Sequence, residues 1–206
     1  MTIELLGLPR SDFVWATRIV AAERGIEVAH RSAAPHDPEV RAISPAGKIP
    51  VLRHGEVRLA ESRAICLYLD GLGDGLGLHP ADGDLAQRAR AEQWLSLVVT
   101  TLEPNLIRRY LFAHLFPGTP DGAPDPAALA ALVPMLEAQL DIVEAGLAEG
   151  AFGAERFSLA DAYLIPILAS LHGRPEADAA IGRRPAVRSY LERGLARPSV
   201  RATMPS

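Results

Sequence analysis

The chain has 206 residues, a formal net charge of −4 and a hydrophobic content of 49%. This composition is typical of a folded globular protein, and the length allows two compact domains. The net negative charge provides no overall positive field for a phosphate backbone or an anionic membrane surface, so we expect neither nucleic acid nor a membrane as a partner.

The cysteine and histidine content argues against disulfides and metal sites. Cys66 is the only cysteine, which excludes an internal disulfide and a Cys-x-x-Cys pair. The six histidines show no paired spacing on a helix, so no metal is expected. The opening residues MTIELLGLPRSD lack the basic start and long apolar stretch of a signal peptide, and no apolar run reaches the roughly 18 to 20 residues of a membrane span. These features predict a cytoplasmic protein.

The first elements predict a βαβ start. Residues 2–6 alternate apolar and polar side chains, as in a half-buried strand. Ser11 or Asp12 can cap the helix that follows, and Gly25 suits the left-handed residue that ends it. Residues 26–31 then have the pattern of a second strand.

A hairpin and a helix complete this part of the chain. Residues 50–53 and 56–59 flank His54-Gly55, a plausible hairpin turn. The helix opens at Glu61-Ser62 and runs to about residue 69, whereas residues 35–47 form an irregular or helical link. The resulting order is βαβ, link, ββα.

A glycine-rich break separates two predicted domains. Residues 71–84, GLGDGLGLHPADGD, follow a helix and not a strand, so they do not form a nucleotide-binding turn. No strand pattern returns after them. The expected division is a first domain at residues 1–72, a linker at 73–84 and an all-helical domain at 85–206.

Apolar periodicity predicts the helices of the second domain, and Pro104 marks a kink in the first of them. Ser158 and Asp161 stand at the N-cap and third positions of an almost wholly apolar helix, which should be buried. The predicted helices are residues 85–116, a helix beginning at Ala127 after a loop at 117–126, 159–171 and 185–197.

Three segments together resemble the glutathione transferase family. LPRSDF (residues 8–13), SPAGKIPVL (44–52) and LAESRAI (59–65) are similar to its active-site turn, its cis-proline loop and the start of its "ESRAI"-type helix, in that order. FSLADAYL (157–164) resembles the capping-box helix of the family's second domain. The resemblance covers most of the chain and implies an α/β thioredoxin-like N-terminal domain followed by an all-α helical-bundle C-terminal domain.

The resemblance implies a set of glutathione-binding residues. Ile49 and Pro50 would form a cis X-Pro turn that exposes the backbone of Val51 to the cysteinyl part of glutathione. Ser62 and its N–H would bind the γ-glutamyl carboxylate, with Glu61 on the amino group, although an ordinary helix cap is the alternative. Lys48 would reach the glycyl carboxylate, or else be a solvated lysine.

Ser11 is the candidate catalytic residue, matching the serine of theta, delta and zeta type transferases. Tyrosine and cysteine types do not fit, because the first tyrosine is Tyr68 and the only cysteine is Cys66. Ser11 could instead be only an N-cap, or leave that role to Asp12. Asp12 also departs from the family pattern, since a carboxylate pointing toward a developing thiolate would oppose its formation.

The activity implied is conjugation of glutathione to a small hydrophobic electrophile, with no cofactor beyond glutathione as co-substrate. The electrophile would lie among Leu8, Pro9, Glu103 and Tyr110. A glutathione-dependent isomerase and a non-catalytic transferase-fold module that binds proteins are the alternatives. The resemblance also implies a homodimer formed by the last helix of the first domain and the first helix of the second, as the positions of two arginines, Arg63 and Arg90, permit.

Overall fold

The computed structural model describes residues 2–80, 84–153 and 156–205. The chain divides into two compact units, Met1–Asp84 with Ala196–Ser206, and Leu85–Leu195. The last residues therefore belong to the first unit, in contrast to the expected helical domain of residues 85–206. The physical reason is a contact with the first helix, where Trp15 Nε1 donates a hydrogen bond of 3.2 Å to Thr203 Oγ1.

The first unit is a four-stranded mixed sheet with helices, which confirms the expected α/β class. The strand order is β2-β1-β3-β4, with β1 parallel to β2 and antiparallel to β3, and β3 antiparallel to β4. Its elements are β1 Ile3–Leu6, α1 Asp12–Glu23, β2 Val28–Arg31, α2 Pro38–Arg41, β3 Val51–His54, β4 Val57–Ala60, α3 Ser62–Leu72 and, from the end of the chain, α10 Pro198–Thr203.

Helix α1 packs against α3 in the core of this unit. Ile19 and Val20 of α1 and Ile65 of α3 are fully buried, as the apolar spacing predicts. The predicted end of α1 is confirmed at Gly25, whose φ of 66° lies in the left-handed region. Cys66 is buried, with its sulfur 3.8 Å from the hydroxyl of Thr17.

The second unit is helical, as expected, and centres on a buried apolar helix. Every residue of α7 from 159 to 168 is buried, and the predicted capping box of Ser158 and Asp161 is present. Its elements are α4 Leu85–Leu97, π-helical segments Val98–Leu102 and Pro104–Leu111, α5 Phe112–Leu115, α6 Pro126–Ala148, α7 Leu159–Ser170, α8 Pro175–Gly182 and α9 Pro185–Ala196. Pro104, where a kink was expected, begins the second π-helical segment.

Within the described residues, α6 alone is long and apolar enough to cross a membrane by length and composition. No such run was expected from the sequence. However, the helix carries acidic side chains that pair inside the helical unit, since Arg184 contacts Glu137 and Asp141 at 2.5 Å each. These ion pairs are those of a helix packed within its own domain.

Candidate active site

Strand register gathers the three sequence-predicted segments at one end of the sheet. Leu6 ends β1 and pairs with Val51, which begins β3, and Val51 pairs in turn with Ala60, which ends β4. The turn after β1, the loop before β3 and the helix start after β4 therefore leave the sheet side by side. Ser11, residues 48–50 and residues 61–62 lie on these segments.

The turn between β1 and α1 presents a hydroxyl that does not cap the helix. Ser11 is the N-cap residue, and its carbonyl accepts a hydrogen bond of 2.9 Å from Trp15 N. Its side chain makes no cap hydrogen bond. Of the two roles considered for the Ser11 hydroxyl, N-capping is therefore absent, and the group lies beside the positive end of the α1 dipole.

Asp12 is the first residue of α1 and is buried, with 9% of its surface exposed. A carboxylate in the first turn of a helix interacts favourably with the helix dipole. The same negative charge would disfavour a thiolate nearby.

The loop before β3 is held by its own hydrogen bonds. Ser44 is buried, and its Oγ accepts a hydrogen bond of 3.1 Å from Lys48 N. The side chain of Ile49 packs on a core cluster that includes Leu6 and Val51. The peptide bond between Ile49 and Pro50 is cis, as expected.

The backbone of Val51 does not lie at an open edge, contrary to our expectation. Val51 belongs to β3, which has β1 on one side and β4 on the other, and it is in register with residues of both. Ile49 precedes the strand and lies outside this ladder. The backbone available to extend the sheet toward a peptide ligand is therefore that of Ile49.

Glu61 and Ser62 form the start of α3. Glu61 is the N-cap, exposed, with a φ of 66° that non-glycine residues seldom adopt, and its side chain makes no cap hydrogen bond. Ser62 is the first helical residue and is half-buried. Because the first N–H groups of a helix have no acceptor within the helix itself, a helix start of this kind is suited to binding a carboxylate.

His36 was missed by the sequence analysis. It is exposed, lies beside Gly47, and its backbone N–H donates a hydrogen bond of 2.8 Å to Gly47 O. A β-carbon built at Gly47 would lie 2.2 Å from His36 Nδ1, so only glycine allows the ring to sit here. The ring is thus held beside the residue that precedes Lys48, which is also exposed. Its unusual φ of 70° was not readable from the sequence.

Glu103 and Tyr110, the two residues of the helical unit predicted to line the electrophile pocket, use their polar groups in contacts within that unit. Tyr110 is fully buried, and its hydroxyl donates to Glu176 Oε2 at 3.0 Å and accepts from Ala177 N at 3.2 Å. Glu103 is 4% exposed and pairs with Arg108 at 2.9 Å. Tyr110 therefore joins the π-helical segment to α8, and it offers no free surface to an electrophile.

Leu8 and Pro9 have more of their surface free. Leu8 is 41% exposed and Pro9 is partly exposed, both within the turn that carries Ser11. An apolar ligand beside the Ser11 hydroxyl would cover these side chains and gain free energy by removing them from water.

The chain matches known proteins along most of its length. Residues 5–75 match the family model described as glutathione S-transferase, N-terminal domain, and residues 126–193 match that of the C-terminal domain. Glutathione S-transferase 3 of Zea mays is 33% identical over 98% of this chain and 93% of its own length.

Solved structures agree with these matches. Glutathione S-transferase III in its apo form has a TM-score of 0.83 and 30% identity, covering 100% of this chain and 98% of its own. A glutathione S-transferase from Methylobacillus flagellatus with GSH bound has a TM-score of 0.80 and 26% identity, covering all of both chains. The chain therefore belongs to the glutathione S-transferase family and is an enzyme that conjugates glutathione.

Proposed function

We propose that Ser11 activates glutathione for attack on a small hydrophobic electrophile, as in serine-type transferases of the theta, delta and zeta kind. The observation that supports this most is that the Ser11 hydroxyl makes no cap hydrogen bond, on a turn that leaves the sheet beside the Ile49–Pro50 loop. The hydroxyl would donate its hydrogen to the thiolate sulfur.

The ends of glutathione would bind on either side of this turn. The γ-glutamyl carboxylate would accept hydrogen bonds from the hydroxyl and N–H of Ser62, and Glu61 would bind the amino group. The backbone of Ile49 would pair with the cysteinyl residue, and Lys48 would meet the glycyl carboxylate with His36 nearby. Lys48 and Glu61 are exposed, Ser62 stands at the start of a helix, and Ile49 is half-buried with its backbone outside the strand ladder.

The Ser11 hydroxyl and the start of α1 can together supply the free energy needed to ionise the glutathione thiol. The pKa of a thiol, about 8.5, must fall by roughly 2 for the group to be mostly ionised at neutral pH, which requires about 2.7 kcal/mol. A hydrogen bond to a charged group contributes about 1.5 to 3 kcal/mol, and a helix end about 0.3 to 1 kcal/mol more. No general base is required.

The electrophile would lie against the exposed side chains of Leu8 and Pro9. We leave Tyr110 out of this pocket because it is buried, and Glu103 because it is buried in an ion pair with Arg108. Residues 1–72 would form the glutathione-binding domain and residues 73–84 the linker, with the helical domain beginning at residue 85.

We further propose a cytoplasmic homodimer, formed by α3 and α4. Light scattering should give twice the monomer mass at tens of micromolar, and a monomer would contradict this.

The names of the relatives do not favour an isomerase or a protein-binding module. Retention on immobilised glutathione would exclude the latter.

The role of Ser11 is tested with Ser11→Ala, using Ser11→Thr as the matched variant that keeps a hydroxyl. Ser11→Ala should raise the pKa of the bound thiol by about 1 to 2 and lower turnover near neutral pH in proportion, leaving glutathione affinity nearly intact. Thiolate absorbance against pH measures the first effect. An unmoved titration together with a lowered Tm would show that Ser11 is structural.

A further inference from the structure

A histidine on the neighbouring strand contacts the start of the active-site turn. His30 lies on β2, in register with Leu5 of β1, and its Nε2 is 3.0 Å from Gly7 O. A carbonyl oxygen only accepts hydrogen bonds, so His30 must carry its hydrogen on Nε2 and donate it. Gly7 is the residue at which β1 gives way to the turn that carries Ser11.

Gly7 is held by two backbone hydrogen bonds and by close packing. Its N–H donates a hydrogen bond of 3.1 Å to Arg31 O, so β2 holds both of its polar backbone groups. A β-carbon built on Gly7 would lie 2.4 Å from Val14 Cγ2 and 3.4 Å from Ile49 Cβ. The turn, helix α1 and the cis-proline loop therefore meet at this residue with no space for a side chain.

A short path of bonds leads from Gly7 to Ser11. The Gly7 carbonyl belongs to the same planar peptide group as the N–H of Leu8, so holding Gly7 O orients that plane. The Leu8 carbonyl in turn accepts a hydrogen bond of 3.0 Å from Ser11 N, which closes the turn. A rotation of the first peptide would therefore move Ser11, the residue proposed to act on the sulfur.

The surroundings of His30 favour its neutral form. Burial lowers the pKa of His30, the hydrogen bond to Gly7 opposes this, and the positive charge of Arg18 lowers the pKa further. At neutral pH the ring therefore carries one hydrogen, and the Gly7 carbonyl selects the tautomer that has it on Nε2.

We propose that His30 is a positioning residue of the enzyme, whose bond to Gly7 O aims the Ser11 hydroxyl at the glutathione sulfur. This inference rests on the proposed role of Ser11. Small displacements of a catalytic group lower rates strongly, about a hundredfold for 1 Å. His30 does not contact glutathione in this proposal and acts only through the turn.

The test compares the full-length enzyme with His30→Leu, which removes the donor, and His30→Gln, whose amide can still donate. His30→Leu should lower kcat/KM near neutral pH by about three- to tenfold and raise the pKa of the bound thiol by about 0.5 to 1, with the Kd for glutathione changed less than about threefold. His30→Gln should recover most of the loss.

His54→Leu is the matched control, because His54 is a half-buried histidine at the far end of the same sheet that bonds Tyr68 at 2.8 Å. It should lower Tm without moving the thiol titration. Circular dichroism and Tm establish that each variant is folded.

A double-mutant cycle with Ser11→Ala separates the positioning role of His30 from the catalytic role of Ser11. The effect of His30→Leu should vanish when Ser11 is already alanine. If His30→Leu leaves the titration unchanged while Ser11→Ala moves it, the positioning role is overturned and the role of Ser11 stands. Persistence of the His30 effect in the Ser11→Ala background also overturns it. If Ser11→Ala alone leaves the titration unmoved, the proposed function fails, and the inference fails with it.

Discussion

Replacing Asp161 should strongly destabilise the helical unit. This buried carboxylate accepts four hydrogen bonds, from Gly153 N at 2.8 Å, Ser158 N at 2.9 Å, Ser158 Oγ at 2.7 Å and Tyr190 OH at 2.9 Å. It thereby joins the loop before α7, the cap of α7 and helix α9. Asp161→Ala removes all of these acceptors at once.

The expected loss follows from the donors left behind. A buried donor without a partner costs about 1 to 3 kcal/mol; the hydroxyl of Tyr190 is buried, whereas the N–H groups of Gly153 and Ser158 are partly buried. Because these donors share one acceptor, their contributions are not additive. We expect Asp161→Ala to lower the free energy of unfolding by about 3 to 5 kcal/mol. Ser158→Ala, which removes only the cap hydroxyl, should cost about 1 kcal/mol.

The two tryptophans allow this unit to be observed alone. Trp15 lies in the first unit, whereas Trp94 packs against Phe152 in the helical unit, with their ring centroids 5.3 Å apart. In a Trp15→Phe background, urea unfolding followed by fluorescence reports on the helical unit only. If Asp161→Ala unfolds within about 1 kcal/mol of that background, a hydrogen-bonding role of this size is refuted.

The remaining predictions concern glutathione binding, the C-terminal helix and stability in acid. Ser62→Ala should weaken glutathione binding about ten- to a hundredfold, measured by calorimetry, with little change in kcat at saturation. Glu23→Gln should lower the free energy of unfolding of the first unit by about 1 to 2 kcal/mol, measured by urea unfolding at neutral pH. Burial raises the pKa of Glu23, but hydrogen bonds from Arg197 and Ser199 lower it overall, so this contribution is lost as the pH falls below about 4.5. Burial lowers the pKa of His114, so the unfolded chain takes up the proton more readily and stability falls below a pH of about 6.5. His114→Phe should flatten the dependence of Tm on pH there.

The features that the sequence predicted correctly depend on residues close together in the chain. Gly25 ends α1 because a left-handed residue is needed within one turn of the last helical residue. The capping box of Ser158 and Asp161 is likewise a contact across three positions. Strand alternation in residues 2–6 has the same local origin. Each could be found without knowing the rest of the fold.

The features that the sequence did not predict depend on neighbours that are distant in the chain. Whether the backbone of Val51 is open depends on the sheet order, which places β1 on one side of it and β4 on the other. The periodic spacing of apolar residues around Tyr110 is the same for a tyrosine that lines a pocket and for one that is fully buried. Its partner Glu176 is 66 positions away, on a short helix that the periodicity did not show. The π-helical segments also went unpredicted, because the apolar spacing of residues 85–116 indicates only a helix.

The C-terminal helix provides another contact between residues distant in the chain, and this contact holds the helix that follows the proposed catalytic residue. Arg197 reaches Glu23, 174 positions earlier, with two hydrogen bonds of 2.6 Å, and the intervening sequence carries no local signal of such a pair. Glu23 is the last residue of α1, and Ser11 precedes the first. Helix α1 is thus held at its far end by the end of the chain, and near its start by the contact between Val14 and Gly7. The proposed role of Ser11 requires its hydroxyl to be held in place. Because α1 begins directly after Ser11, contacts from both ends of the sequence contribute to that position.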